Sequence, residues 1–498
     1  MYEKLYSIKL PLDRERQELY VKGEYIQVHD TEIKLLSGQI LDLGTYFNLF
    51  SLKKWRRYTT IHNLEIHLDL QGACKVTLLG INENKQHILH EELCQTGYQR
   101  KVDLTVINDS FITLKITALE DNVFFSGGYY SGEFLESNCI NIGIVICTFK
   151  REKYLKRNLR TLQSLMKVNS HFHVMVIDNG QTLPEIKNDQ LQLIHNRNYG
   201  GSGGFTRGLI EQVEQGQNDY VVLMDDDILI ELSSLERVYA LCCHRKKVYN
   251  EQMIAGSMMS MDEPTIQYEN TAYWGKIRLH SLGQDFRLTD IGDLLKNDDL
   301  PQVKNKYAAW WFCCIPLAVV RKNGYPLPLF IKGDDMEFGI RNHQDIITMN
   351  GIGVWHEAFT KKLNPVVNYF SDRNMLILNE YATGCGRGTA VISLTGRLVR
   401  RILRGDTAGI RMLELAIRDY ASGFEGITVM GADEKMEQVK KYKGHTNIII
   451  SIVTISLQIV KIFLHHNDLH NTYLSFRNEK LRTSHFWREC KMKCVSYR

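Results

Sequence analysis

The chain has no Cys-x-x-Cys pair among its 11 cysteines, no internal repeat, no low-complexity linker and little charge imbalance. Each absence narrows the field. Without cysteines at ligand spacing, a zinc site has little support. A net charge of +4 over 498 residues offers no bulk attraction for nucleic acid. The stretch Met1-Tyr-Glu-Lys-Leu-Tyr6 lacks the long apolar core of a signal peptide. Cys242-Cys243 and Cys313-Cys314 sit in apolar surroundings and read as buried thiols, so a reducing, intracellular setting is expected. One apolar run, Ile448 to Leu464, reaches only the lower limit for a membrane span and is interrupted by Gln458 and Lys461. It reads as a buried helix of a helical domain.

What is present is ordinary in bulk and unusual in detail. Apolar content of 44% and charged content of 24% fit a globular protein, and the length favours about three domains. Residues 1–137 look all-β. Leu64 to Leu70 alternates strictly, and Val76–Leu78, Val102–Val106 and Phe111–Ile116 repeat the theme, which predicts a β-sandwich with a sugar-binding or structural role. Residues 138–375 change texture. Apolar runs at 142–147, 172–177, 191–194 and 220–224 alternate with helical patterns around Leu155–Leu165 and Phe205–Val213. That alternation predicts an α/β layer with a mostly parallel sheet, whose ligands lie beyond the carboxyl ends of the strands. Those ends carry Thr148, Asp178, Asn196 and Asp225-Asp226-Asp227. Residues 376–498 are expected to be helical. Arg397, Arg400, Arg401 and Arg404 cluster opposite an apolar face there, and Lys435, Lys440, Lys441 and Lys443 add positive charge. A basic amphipathic helix can lie on an anionic membrane, although an ordinary solvated face is slightly preferred.

The acidic triplet carries the chemistry. Carboxylates this close disfavour joint ionisation unless a cation joins them, and a hard divalent ion prefers their oxygens. An acidic strand-to-helix turn with a capping aspartate is the alternative. A glycine stretch, Asn198-Tyr-Gly-Gly-Ser-Gly-Gly-Phe-Thr-Arg207, runs straight into a helix, whose N–H groups favour anions. It lacks the lysine of a Walker motif and the spacing of a dinucleotide fingerprint. Downstream, Asp334-Asp335-Met-Glu337 offers a helix cap in Asp334 and a general base in Asp335 or Glu337. His356, after Trp355, reads as a core histidine or a third metal ligand. Of the adjacent Trp310 and Trp311, one is expected in the core and the other on a sugar ring, with Trp274 a weaker candidate for stacking.

Taken together, these motifs resemble glycosyltransferase family 2, with its Rossmann-like GT-A fold. More narrowly they resemble the galactofuranosyltransferases of bacterial cell-wall and surface galactan. The matching pieces are Cys147–Arg151, Asp178-Asn-Gly, Asn198–Arg207, Asp225–Asp227, Trp310-Trp311, Asp334–Phe338 and Trp355-His356, within roughly 140–375. The resemblance implies a β-sandwich before the GT-A domain and helices after it. It implies that Asp225, Asp227 and His356 bind Mn²⁺ or Mg²⁺ and that Asp335 is the catalytic base. Thr148, Arg151, Asp178, Asn198, Arg207 and Asp226 would hold the donor nucleotide and its phosphates. Gly203, Trp274, Trp310, Trp311, Asp334 and Glu337 would meet the sugars. Residues 261–306 match no motif, although acceptor contacts belong there.

The expected reaction is an inverting, metal-dependent transfer of galactofuranose from UDP-galactofuranose to a glycan, polyprenyl-linked or free. A single base without a covalent nucleophile implies one displacement. The same machinery with another donor, such as dTDP-rhamnose, is the nearest alternative. Nucleotidyltransferases usually place their glycine loop directly after the first strand, where this chain has Thr148-Phe-Lys-Arg151. A non-catalytic glycan-binding protein would be expected to have lost a metal or base carboxylate, and none is lost. The expected setting is the cytoplasm, with peripheral contact at the inner face of the cell membrane, homo-oligomer formation and no nucleic-acid partner.

Overall fold

The computed structural model describes all residues except 1, 12, 30, 84, 187–188, 359–364, 425–426, 428–431, 443–446 and 490–498. Lys443 therefore lies outside the described residues.

Six strands form the central sheet, in the order Leu191–His195, Phe172–Asp178, Ile142–Thr148, Tyr220–Asp225, Phe312–Pro316, Ile254–Ala255. The first four are mutually parallel, Phe312–Pro316 runs against them, and Ile254–Ala255, antiparallel to Phe312–Pro316, returns to their direction. Strand Ile142–Thr148 is buried along almost its whole length, which explains its unbroken apolar run: helices cover both faces of a parallel sheet. Register brings the carboxyl ends level. Thr148 pairs with Asp178, Cys147 with Asp225, and Asp178 with His195.

The glycine stretch is part of helix Gly200–Gln215, which therefore starts earlier than the apolar pattern indicates. Its glycines mainly serve close packing. A Cβ at Gly204 would sit 2.1 Å from Cys147 Sγ. Gly200 takes φ +68° and leaves no room for a Cβ beside the Phe330 carbonyl. The helix thus lies unusually close to strand Ile142–Thr148, with its first turn at the strand ends.

The N-terminal region differs from the expected pair of sheets. Its strands join into one continuous nine-stranded sheet. The 22-residue strand Ile61–Asn82 pairs first with Val123–Phe134 and then, past register shifts between Leu68 and Cys74, with Phe111–Ala118. Such irregularities let one strand serve two neighbours, so a separate second sheet is unnecessary. The expected strand Val102–Val106 is also corrected. Residues Leu104–Val106 form a 3-10 turn, with the Asp103 carboxylate accepting from Thr105 N at 2.8 Å.

This region packs directly on the α/β layer. Tyr46 Oη donates to the Ile352 carbonyl at 3.1 Å, and the Phe47 and Trp355 rings are 5.6 Å apart. Arg237, buried in helix Leu232–His244, lies 3.5 Å from the Tyr6 ring centre and donates to the Phe47 carbonyl.

Helices dominate after Pro365. The first of them, Pro365–Asn379, continues through residue 375. Arg397 and Arg401 clamp its buried Asp372 at 2.7 and 2.6 Å, so those two arginines do structural work. Helix Ile448–Leu464 departs from expectation: only Ser451, Ile455, Ile459 and Ile462 are buried, and its other face is open. Its inner stripe suffices to dock it, and none of the described residues covers the outer one.

Two glycine substitutions should diverge. Gly204→Ala places a methyl against Cys147 and should cost about 1–3 kcal/mol. Gly396→Ala, in helix Arg387–Leu403 with nothing within 4 Å of the new Cβ, should stabilise by about 0.5–1 kcal/mol. Urea denaturation of both variants reads the difference.

Candidate active site

The acidic triplet closes strand Tyr220–Asp225 and turns into the short strand Leu229–Ile230. That strand pairs antiparallel with Gly353–His356, which itself pairs with Ser257–Ser260. The hairpin-like return brings His356 back to the triplet. Its Nε2 lies 3.0 Å from Asp227 Oδ1 and 3.6 Å from Asp225 Oδ2. Asp226 points the other way. It accepts from Thr148 Oγ1 at 2.6 Å and from Arg151 Nη1 at 3.2 Å, and burial raises its carboxyl above the usual range. Arg151 also donates to Asp227 Oδ2.

The three groups fit a divalent ion. One ligand atom from each of Asp225, Asp227 and His356 lies within 4.8 Å of the others. Adjacent ligands around an octahedral ion of magnesium size lie about 3 Å apart, and opposed ones about 4.2 Å. The histidine tautomer agrees. His356 Nδ1 faces the Glu357 carbonyl at 2.7 Å. A carbonyl only accepts, so Nδ1 carries a proton. In the neutral ring Nε2 then turns its lone pair toward two carboxylates, an arrangement that a cation between them relieves.

Asp334 and Asp335 open helix Asp334–Asn342. The loop before it is wound tightly, with φ of +72° at Phe330, +62° at Lys332 and +93° at Gly333. Left-handed non-glycine residues cost about 1–3 kcal/mol each and persist where surroundings enforce them. Here the buried Asn374 amide donates to the carbonyls of Leu329, Ile331 and Lys332 at 2.7–3.0 Å. Burial first and Asp335 second hold Asp334 well above the usual carboxyl range. Burial pushes the half-buried Asp335 up to about 6. The Asp225 charge also acts on Asp334, so the acidic helix start lies within electrostatic reach of the triplet. A Cβ on Gly201 would lie 3.9 Å from Asp334 Oδ2, which puts the first turn of helix Gly200–Gln215 at the same place.

Several of the expected site residues are buried or engaged with their own neighbours. Asp178 is fully buried and saturated by its own turn, accepting from the N–H of Gly180, Thr182 and Leu183 at 2.8–2.9 Å. It shapes the strand end and has no face left for a nucleotide. Glu337 is fully buried and paired with Arg341, one turn on, at 3.0 Å, which removes it from any acceptor. Trp310 and Trp311 are both buried. Trp310 packs edge-on against Phe205 and Phe338, and Trp311 Nε1 donates to the Gly256 carbonyl at 2.8 Å. Opposite faces of the chain here both meet core, so neither ring is presented for sugar stacking. Trp274 is likewise interior, donating to Asn379 Oδ1 at 2.7 Å. Gly203 packs against Tyr199, Arg207 pairs with Glu211 at 2.8 Å, and Asn198 Oδ1 accepts from Gly200 N at 3.0 Å.

Glu269 was not signalled by the sequence. It ends strand Ile266–Glu269 inside the unmatched 261–306 region and accepts from Ser281 Oγ. Burial pushes it up to about 7, with the charge of Asp335 adding to the rise. It is a further carboxyl within electrostatic reach of Asp335.

Comparison with known proteins agrees with this arrangement. The profile for "Glycosyltransferase like family 2" matches residues 140–344, and that for "Galactofuranosyltransferase 2 N-terminal" matches 14–132. Residues 140–344 thus match a family 2 glycosyltransferase domain with a GT-A-like fold, with a sheet-rich region before it and helices after it. Within that class its relatives are galactofuranosyltransferases. Galactofuranosyltransferase GlfT2 of Mycobacterium tuberculosis is 26% identical over 381 residues, covering 70% of this chain and 59% of that protein. GlfT2 of Mycolicibacterium smegmatis is 24% identical over 448 residues, covering 83% and 69%. The chain thus spans about six- to seven-tenths of their length. A solved structure of S. aureus TarS 1-349 in complex with UDP covers 66% of this chain at 12% identity with a TM-score of 0.37, a likeness too slight to build on.

Two outcomes test the geometry. Asp227→Ala or His356→Ala should weaken Mn²⁺ binding by about 10–100-fold or more, read by titration calorimetry; unchanged affinity would remove these residues from the ligand set. Glu337→Gln should leave Mn²⁺ binding intact but lower the melting temperature, because breaking a buried ion pair costs about 3–5 kcal/mol.

Proposed function

We propose that this chain transfers galactofuranose, with inversion, from UDP-galactofuranose to a glycan acceptor, with Asp335 as general base. The observation that carries this reading is the Asp225–Asp227–His356 cluster at a strand end, with the acidic helix start Asp334-Asp335 within electrostatic reach of Asp225. The N-terminal profile and the two GlfT2 relatives support the furanose donor. UDP as carrier and a polyprenyl-linked acceptor follow from the motif resemblance over 140–375.

Asp225, Asp227 and His356 would hold Mn²⁺ or Mg²⁺, which when bound stabilises negative charge on the departing diphosphate as a Lewis acid. Arg151, 41% exposed and already seated on Asp226 and Asp227, is placed to meet phosphate oxygens. Thr148 orients Asp226 and so fixes where Arg151 sits. The acceptor hydroxyl is too weak an acid to react unaided at neutral pH. The Asp335 carboxylate takes its proton as the new bond to the anomeric carbon forms. A carboxyl raised to about 6 is a better base than an ordinary aspartate and is still mostly ionised at pH 7.

The decisive experiment incubates the purified protein with UDP-galactofuranose, dTDP-rhamnose and other nucleotide sugars, with Mn²⁺, Mg²⁺ or chelator, and follows transfer. Turnover of UDP-galactofuranose alone is expected; preference for another donor would overturn the assignment. Asp335→Asn should keep donor binding and lose about 10²–10⁴ in rate. Because the base works ionised and its carboxyl titrates near 6, kcat/KM should hold above pH 6 and fall about tenfold per pH unit below it. A flat profile down to pH 5 would assign proton removal to another group.

A further inference from the structure

The outer face of helix Ile448–Leu464 is the largest feature that the proposed reaction leaves unused. Its side chains Ile449, Val453, Leu457, Val460 and Leu464 are 52–69% exposed. The inner stripe, Ile455, Ile459 and Ile462, already packs on the protein, so the helix has two apolar faces of which one is covered among the described residues. A second, exposed apolar face in water calls for an apolar phase or partner. Its neighbour, helix Arg387–Leu403, behaves similarly: Ile392, Val399 and Leu403 are exposed. The Arg387 guanidinium lies 5.1 Å from the Phe463 ring centre, so the start of one helix sits by the end of the other.

Charge selects the occupant. The two helices contain no Asp or Glu, but have Arg387, Arg397, Arg400, Arg401 and Lys461. Arg397 and Arg401 are neutralised by Asp372; Arg400 and Lys461 are exposed, as is Arg404 just beyond the helix. A second copy docked face to face would bring these cations together with no acid from either helix to balance them. An anionic bilayer supplies both what the apolar face lacks and what the cations lack. A straight span is short: 17 residues rise about 25 Å, at the lower limit for crossing, and no single described helix is long and apolar enough. Helix His466–Lys480 continues it and the pair meets the length, but a 75° bend and the charged Asp468, Arg477, Glu479 and Lys480 favour a helix lying in the plane.

We propose that helix Ile448–Leu464 is an in-plane membrane-docking element. Its outer apolar face seats among acyl chains, and Arg400, Arg404 and Lys461 bind anionic lipid headgroups. The proposal does not depend on the donor or acceptor assigned above.

The test uses the full chain and flotation with phosphatidylcholine vesicles, with and without phosphatidylglycerol. Binding to phosphatidylglycerol vesicles that weakens as salt rises is expected. Val453→Glu with Leu457→Glu should reduce partitioning about tenfold or more, the scale of losing a buried leucine-sized contact. Arg400→Glu with Arg404→Glu should abolish the preference for anionic vesicles. Both pairs replace exposed side chains, so melting temperature and Mn²⁺ affinity should stay at the parental values; should the first pair melt early, Leu457→Ser takes its place. Failure of the parent to float with either vesicle overturns the proposal. So does parental partitioning by the Val453/Leu457 variant. A parent that self-associates without floating, and becomes monomeric on Leu457→Glu, would instead make this face a contact between copies.

Discussion

A histidine with one ring proton committed to a carbonyl, pressed against two carboxylates, is the constraint around which this molecule is arranged. Nε2 of His356 cannot satisfy Asp225 and Asp227 as a neutral acceptor. A cation shared between them would relieve that, and Arg151 already donates to the far oxygen of Asp227. The fold provides this pocket at the level edge of a parallel sheet. That is where helix Gly200–Gln215 begins and where the aspartates of the next acidic helix arrive. The same edge therefore concentrates negative side chains and, from the helix start, positive backbone dipole.

Much of this was legible in the chain. Strand positions could be read because a doubly covered strand has to be apolar without interruption, and Ile142–Thr148 and Tyr220–Asp225 are. The triplet, the Asp334-Asp335 pair and His356 could be singled out because charged and titratable groups at strand and helix ends have few structural reasons to cluster. Side-chain direction was harder. Glu337 precedes Arg341 by four residues, the spacing of a helical ion pair, and that signal explains its burial. Asp178-Asn-Gly is a turn sequence whose carboxylate caps its own backbone. The tryptophans could not be resolved, since whether a strand residue meets core or cleft is decided by elements far along the chain. Glu269 carried no local mark, because its setting exists only once two distant segments meet.

The loop that leads into Asp334 and Asp335 shows how the fold sustains strain. Three left-handed residues within four positions would not persist in an isolated peptide. Asn374, from the first C-terminal helix, spans their carbonyls, and Arg373 adds a bond to Leu329 at 3.1 Å. The C-terminal helices thus hold the loop before Asp334 and Asp335 in shape, and Asp372, in the same turn, anchors them through Arg397 and Arg401.

The N-terminal sheet makes a parallel contribution from the other side. Tyr46 bonds the Ile352 carbonyl, just before the strand that ends in His356, and the Phe47 ring packs at a tilt against Trp355, one residue before the histidine. The α/β portion is consequently not a portable cartridge. A chimera that grafts residues 138–375 onto a foreign scaffold would carry the imidazole but not the wall it leans on, and would have to rebuild that wall before it could inherit the chemistry.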